Sequence, residues 1–238
     1  MGVVAVIPAR YASTRFPGKP LVDVCGKPMI RWVYEQVKGC ASIDRVIVAT
    51  DDERIKDAVA SFGGDAVMTP ADCPSGTDRV ALAIRDMDCA YIINVQGDQV
   101  LLDQASLDGL VGSLRQGSPM ATIAAKASEE DASNPDCVKV VCSRSGYALY
   151  FSRSAIPFAR NPGNAPMLRH IGIYGFSRDA LTLFTSLEPS PLERTESLEQ
   201  LRALENGIPI RVIVAEGMFH EVNSPKDLEG LPRPWPLS

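Results

Sequence analysis

Three cations follow the first apolar run of the chain: Arg10, Arg15 and Lys19, within Arg10-Tyr11-Ala12-Ser13-Thr14-Arg15-Phe16-Pro17-Gly18-Lys19-Pro20. A Gly/Pro-punctuated loop of this kind can wrap a polyphosphate, with backbone N–H groups and cationic side chains neutralising it. The same composition also suits a plain exposed basic loop. It is not a P-loop, because Gly18-Lys19 and Gly26-Lys27 are each followed by Pro rather than Ser or Thr, and no G-x-G-x-x-G fingerprint is present. Further on, Ser75-Gly76-Thr77-Asp78-Arg79 is rich in small residues that let a planar ring or its ribose approach closely. Ser75 or Thr77 serves equally as a helix cap. A third group, Gln96-Gly97-Asp98, closes an apolar run. A carboxylate facing a cationic loop can hold Mg²⁺ and bridge it to phosphate oxygens; a turn aspartate has the same signature.

The second half of the chain carries Tyr150-Phe151-Ser152-Arg153 and Arg169-His170-Ile171-Gly172-Ile173-Tyr174. His170 is one of two histidines, and a lone histidine reads as structural before it reads as catalytic. Arg153 and Arg169 are cations that could receive an acidic group. Glu196, Glu199 and Gln200 share one helix face at i, i+3, i+4 spacing, either solvated or reading hydroxyl groups.

The elements that must position these groups follow from the hydrophobic pattern. Val3–Ile7, Val46–Ala49 and Tyr91–Val95 are short, β-branched apolar runs that read as buried parallel strands. Ala66–Met68 is a further short strand, and Met29–Val37, Arg54–Phe62 and Asp78–Met87 have helical spacing. Alternation of strand and helix predicts an open α/β sheet with right-handed crossovers, and the cationic loop and Asp98 both follow strands of that sheet, where such sheets bind ligands. The pattern then changes: Met120–Lys126, Val138–Cys142, Tyr147–Phe151 and Leu168–Phe176 read as strands without intervening helices, with a hairpin turn at Ser143-Arg144-Ser145-Gly146. Ser190-Pro191-Leu192-Glu193 starts a helix that Asn206-Gly207 stops. Ile210–Val214 returns to strand, Ser224-Pro225-Lys226-Asp227 starts a last short helix, and Leu231–Ser238 reads as a loose tail. The fold class is α/β: an open, mostly parallel Rossmann-like sheet with an antiparallel inserted lobe, one domain over 1–238 with the lobe at about 120–180.

Composition narrows the function class. A net charge of −5 argues against a general nucleic-acid or anionic-membrane binder, which needs basic excess. The six cysteines form no C-x-x-C pair and read as reduced, buried small side chains in a reducing compartment. No apolar run reaches membrane-spanning length, and the N-terminus lacks a basic stretch and a signal-length apolar segment, so the expected location is the cytoplasm.

Taken jointly and in order, these residues resemble the 3-deoxy-manno-octulosonate cytidylyltransferase (CMP-Kdo synthetase) family over nearly the whole chain. The likeness runs through Ile7-Pro8-Ala9-Arg10 to Lys19-Pro20, Ala49-Thr50-Asp51, Ser75-Gly76-Thr77, Val95-Gln96-Gly97-Asp98, Val138-Lys139-Val140-Val141, Tyr147 to Arg153, Arg169 to Tyr174, and Leu198-Glu199-Gln200-Leu201-Arg202. The resemblance implies a nucleotidyltransferase that joins CTP to a 3-deoxy-2-keto sugar acid and releases pyrophosphate, for lipopolysaccharide or capsule synthesis, with Mg²⁺ as cofactor and a homodimer formed through the lobe. It implies roles as well. Arg10, Arg15 and Lys19 would hold the triphosphate, with Arg10, Lys19 and Asp98 the catalytic set; Ser75, Gly76 and Arg79 would frame the cytidine; Asp98 would hold the metal. Gln96, Arg153, His170, Tyr174, Glu199 and Gln200 would contact the sugar acid.

Two positions depart from the family pattern. Gly97-Asp98-Gln99-Val100 stands where the family usually has Gly-Asp-Glu-Pro, and Asn223 stands where the family usually has a metal-ligating Asp. Gln99 hints at a different sugar pocket. Asn223 leaves Glu221 as the candidate to compensate, since strand alternation would point both side chains to one face. Two alternatives remain at this point: a cytidylyltransferase for an amino-Kdo or sialic-acid-like sugar, and a weakened homologue that binds without turnover.

Overall fold

The computed structural model describes residues 2–12, 16–161, 166–229 and 231. Arg15 and nearly all of the expected tail lie outside the described residues. In chain order the elements begin with β1 (Val3–Ala9), β2 (Asp23–Val24), β3 (Lys27–Pro28), α1 (Met29–Lys38), β4 (Arg45–Thr50), α2 (Glu53–Ser61), β5 (Asp65–Met68), α3 (Gly76–Ala83), β6 (Tyr91–Asn94) and β7 (Gln99–Leu101). They continue with α4 (Gln104–Arg115), β8 (Met120–Lys126), α5 (Glu129–Ser133), β9 (Lys139–Cys142), β10 (Ala148–Ser152), β11 (Leu168–Ser177), α6 (Arg178–Ser186), α7 (Pro191–Glu196), α8 (Gln200–Glu205), β12 (Ile210–Ala215) and β13 (His220–Glu221). The chain divides into two compact units, residues 1–104 with 217–238, and Ala105–Glu216.

In the first unit β6, β1, β4 and β5 lie side by side, all parallel. Their apolar runs are buried on both faces; Val3, Ala5, Val6, Ile7, Ile47, Val48, Ile92 and Ile93 are all at 0% exposure. That double burial is why these segments read as continuous apolar runs rather than alternating ones. The chain passes from β1 to β4 to β5 on one side, then returns to place β6 on the other side of β1. The order therefore reverses between β1 and β6, and a crevice opens at their carboxyl ends. β7 and β13 form a separate antiparallel ribbon, with Gln99 opposite Glu221.

The second unit orders its strands β10, β9, β11, β8, β12, antiparallel except for the parallel β8–β12 pair. The hairpin turn at Ser143–Gly146 is present, with Gly146 N–H donating to the Ser143 carbonyl at 2.9 Å. Helices do intervene here, contrary to expectation: α5 separates β8 from β9, while α4 precedes β8 and α6 follows β11. The helix expected to run unbroken from Ser190 to Asn206 is two helices, because Ser197 takes a left-handed conformation at φ 54°. The cysteines are all free; Cys40, Cys73 and Cys89 are buried as expected, Cys137 and Cys142 are half-buried, and Cys25, which turns the β2–β3 hairpin at φ 50°, is exposed. No helix among the described residues is long and apolar enough to cross a membrane.

Candidate active site

The crevice at the reversal point is a cleft of about 460 Å³ whose lining includes Pro8, Ala9, Arg10, Lys19, Gly76, Gln96, Gly97 and Asp98. Its volume falls within the roughly 300–1,000 Å³ typical of small-molecule sites. Three of the sequence groups, far apart in the chain, thus meet at one place. β1 delivers Arg10, whose Nη2 donates to the Cys73 carbonyl at 3.1 Å. Gly18, at φ 70°, turns the chain into a short 3-10 helix at Lys19–Leu21 and presents Lys19. β6 delivers Gln96 and Asp98. Gly97 is needed for close packing: a Cβ there would sit 3.0 Å from the Pro8 carbonyl oxygen.

Lys19 Nζ and Asp98 Oδ2 are 2.7 Å apart, with side chains 16% and 21% exposed. The cation expected for phosphate and the carboxylate expected for a metal therefore face each other across the cleft. Ser75 caps α3, its Oγ accepting from the Asp78 N–H at 3.1 Å. The helix thus starts two residues before the expected Asp78, and its first residue, Gly76, lines the cleft.

Arg79 is a correction. Its side chain is at 0% exposure and does not line the cleft. The guanidinium turns inward, where Nη1 donates to Thr69 Oγ1 and Nη2 to Asp51 Oδ2 at 3.0 Å. The resemblance put Arg79 with Ser75 and Gly76 at the cytidine, and nothing in the local sequence shows which side of α3 faces the core. Gln99 is likewise buried, 1% exposed, and outside the cleft lining. Its Nε2 donates to the Leu101 carbonyl at 2.8 Å and the His220 carbonyl at 3.2 Å. Those two donated bonds suit an amide and not a carboxylate, so Gln99 knits the β7–β13 ribbon rather than reshaping a sugar pocket.

The same ribbon holds position 223. Val222 N–H donates to the Asp98 carbonyl at 3.0 Å, so the backbone between Glu221 and Asn223 lies against Asp98. β13 ends at Glu221 and Asn223 lies beyond it, yet the two side chains meet, Asn223 Nδ2 to Glu221 Oε2 at 3.5 Å.

In the second unit His170 lies edge-on to Phe151, ring centroids 5.1 Å apart, and against Tyr174 at 5.3 Å. Its Nε2 meets Thr122 Oγ1 at 2.9 Å. The Thr122 hydroxyl has one hydrogen and a 2.7 Å contact to the Ile173 carbonyl, which can only accept. Thr122 therefore accepts from His170, which fixes the proton on Nε2 and leaves the Nδ1 lone pair free of it. Burial pushes the His170 pKa down to about 3, so the ring is neutral at neutral pH. Burial, reinforced by Glu199, pushes the Tyr174 phenol well above its ordinary range. Gln200 is 3% exposed and its Nε2 has no hydrogen-bond partner among the described residues. A buried unpaired donor is costly and calls for a ligand acceptor or water.

Arg153 is held in place by the backbone: its Nε, Nη1 and Nη2 each donate once, to the carbonyls of Glu196, Pro135 and Ser197 at 2.8, 3.1 and 3.4 Å. Arg169 lies 3.8 Å from Asp131. Glu196 does not share a face with Glu199 and Gln200, because the Ser197 break intervenes. Instead its carboxylate accepts from Ser152 Oγ at 2.6 Å and Arg153 N–H at 3.0 Å. Burial raises its pKa, but these hydrogen bonds outweigh burial and hold it below the usual carboxylate value. Thr122 and Lys139 were not singled out as functional from sequence. Thr122 left no signal in an apolar strand, whereas Lys139, a lysine inside a β-branched run, did.

A parallel sheet with a cation-lined cleft at its reversal point has the layout of a nucleotide-binding enzyme, and a family model described as cytidylyltransferase matches residues 4–212. The class is that of the nucleotidyltransferases. A 3-deoxy-manno-octulosonate cytidylyltransferase from Syntrophobacter fumaroxidans is 50% identical over 239 residues, covering 97% of this chain and 96% of its own. Another, from Acaryochloris marina, is 47% identical over 234 residues, covering 96% and 95%. A solved structure of CMP:2-keto-3-deoxy-manno-octonic acid synthetase complexed with CTP matches with a TM-score of 0.93 and 43% identity, covering 97% of this chain and 96% of that one. The chain belongs to the 3-deoxy-manno-octulosonate cytidylyltransferase family.

Proposed function

We propose that this enzyme transfers the cytidylyl group of CTP to the anomeric C2 hydroxyl of 3-deoxy-manno-octulosonate. The hydroxyl oxygen attacks the α-phosphate in line, the bond to the β-phosphate oxygen breaks, and pyrophosphate leaves. The observation that carries this reading is the meeting of Arg10, Lys19, Gly76, Gln96 and Asp98 in one cleft of a chain from this family. Arg10 and Lys19, with Arg15, neutralise the triphosphate; Ser75 and Gly76 frame the cytidine. Phosphoryl-type transfer asks the protein mainly for positioning and charge stabilisation, which such residues supply.

Arg153, His170, Tyr174, Glu199 and Gln200, with Gln96, are assigned to the sugar acid. The unpaired buried Nε2 of Gln200 supports this, since a hydroxyl-rich ligand offers it an acceptor. The neutral His170 and un-ionised Tyr174 suit a polar, uncharged part of the sugar, and leave its carboxylate to Arg153.

Mg²⁺ is the cofactor in this reading. Asp98 offers a hard anionic oxygen in the cleft, and Mg²⁺ is commonly held by one or two carboxylates together with substrate phosphates. The donor set fits, with Asp98 the ligand and Glu221 or Asn223 the second contact beside it. When bound, the ion neutralises phosphate charge. The enzyme further works as a homodimer in the cytoplasm, and its product feeds lipopolysaccharide or capsule synthesis. Exposed Leu149 and Phe158 of the second unit support the dimer.

A panel of sugar acids with CTP tests the substrate. Turnover of 3-deoxy-manno-octulosonate well above an 8-amino analogue and sialic acids supports the reading. Preference for either of the others would replace the sugar while leaving the reaction class intact.

A further inference from the structure

The second unit buries a lysine among carbonyls. Lys139, the first residue of β9, is at 0% exposure. Its Nζ donates to the backbone carbonyls of Asn134, Cys137 and Arg153 at 2.8, 2.5 and 2.6 Å. Three acceptors use every N–H of an ammonium, whereas a neutral amine has only two to give. Burying a charge among carbonyls rather than beside a carboxylate is expensive, and a methionine of similar shape would avoid the cost. The cost needs an explanation, and the third acceptor supplies one.

That acceptor belongs to Arg153, whose guanidinium reaches back to Pro135, next to the Asn134 that Lys139 also holds. The two cations thus hold adjacent carbonyls of the same loop. Lys139 fixes the backbone of Arg153 and one wall of the seat in which its side chain rests. Three of the five guanidinium N–H groups go to carbonyls, leaving two for an incoming carboxylate.

We propose that Lys139 is the positioning residue of Arg153: its ammonium sets the direction in which the guanidinium meets the substrate carboxylate. This rests on the assignment of Arg153 to the sugar acid.

Lys139→Met, Arg153→Ala and the double variant test it by steady-state kinetics with each substrate varied in turn. Lys139→Met is expected to raise the sugar-acid KM about tenfold, as loss of a charge-assisted bond would, with the KM for CTP and kcat within about twofold. Because Lys139 acts through Arg153, the double variant should be no weaker for the sugar acid than Arg153→Ala alone. A purely structural lysine would instead impair both substrates, or add its effect to that of Arg153→Ala; either result overturns the proposal. An Arg153→Ala enzyme with unchanged sugar-acid KM overturns the assignment of Arg153 and the proposal with it. An impaired Arg153→Ala beside a normal Lys139→Met overturns the proposal alone. Should Lys139→Met fail to fold, the wild-type protein still decides. Lys139 is the only fully buried lysine among the described residues, so its ¹⁵N-ammonium signal exchanges slowly. Saturation with sugar acid should move that signal and CTP should not; an unmoved signal overturns the proposal.

Discussion

Lys19 and Asp98 form an ion pair at 2.7 Å in a partly exposed cleft. Each was expected to serve a different partner, phosphate for the lysine and metal for the carboxylate. Paired with each other, they offset one another's charge in the free protein, while Arg10 keeps the lining cationic, and in the proposed reaction each is released to its ligand.

A prediction about CTP binding without metal follows. Lys19→Ala removes a charge-assisted hydrogen bond to phosphate, a loss of roughly 1.5–3 kcal/mol, so the CTP Kd in EDTA should rise about ten- to hundredfold. Asp98→Asn removes the competitor for Lys19, so its metal-free Kd should stay level or fall while turnover drops. Calorimetric titration checks both. Equal weakening in the two variants would mean that Lys19 is not held back by Asp98.

Arg79 carries a stability prediction instead. Removing one partner of a buried ion pair leaves the other charge uncompensated, at a cost of about 3–5 kcal/mol. Arg79→Met should lower the urea midpoint by a corresponding amount, because Asp51 loses its guanidinium in a site only 12% exposed. The KM for CTP of the folded fraction should be unchanged. An unshifted midpoint with a raised KM for CTP would return Arg79 to the nucleotide site.

Much of the fold was legible in the residues, and the exceptions have physical causes. The doubly buried strands Val3–Ala9 and Arg45–Thr50 announce themselves as β-branched runs ending in polar loops. The α4 helix was missed although Leu107, Leu110, Val111 and Leu114 carry its apolar face, because Gly109 and Gly112 weaken helix propensity. The break at Ser197 has no local signal: Thr195 to Gln200 reads as helix. Tertiary bonds to Glu196 from Ser152 and Arg153, elements far away in sequence, favour the break. In the cleft, strand ends foretold Arg10, Lys19, Gln96 and Asp98, since chain punctuation marks where a parallel sheet delivers side chains. The inward turn of Arg79 and the carbonyl cradle of Lys139 depend on packing that spacing does not encode.

His170 gives a pH prediction. Its folded pKa, about 3, lies below the ordinary 6.5. Between these values the unfolded chain binds a proton that the folded chain excludes, so this contribution to stability is complete above about pH 6.5 and is lost as pH falls toward 3. His170→Gln, which keeps a donor toward Thr122, should reduce the rise of stability with pH in that window by up to about 1.4 kcal/mol per pH unit. Urea unfolding at several pH values measures it. An unchanged slope would show that His170 titrates normally.

In the proposed metal site the β7–β13 ribbon lies beside Asp98, with Val222 N–H donating to the Asp98 carbonyl. Asn223 offers a neutral amide oxygen, and Mg²⁺ prefers anionic ones. Asn223→Asp should lower the Mg²⁺ concentration for half-maximal rate, and Glu221→Gln should raise it if Glu221 compensates. A titration unchanged in Asn223→Asp would remove position 223 from the metal site; one unchanged in Glu221→Gln would remove only the compensation.

Pyrophosphate release reports cytidylyl transfer directly. The purified protein is given Mg²⁺, 3-deoxy-manno-octulosonate and, separately, CTP, ATP, GTP or UTP. Release is expected to require both the sugar acid and CTP, to be far slower with the other three nucleotides, and to be abolished in Asp98→Ala. No release with CTP and the sugar acid, or equal release with ATP or GTP, would contradict the proposed function.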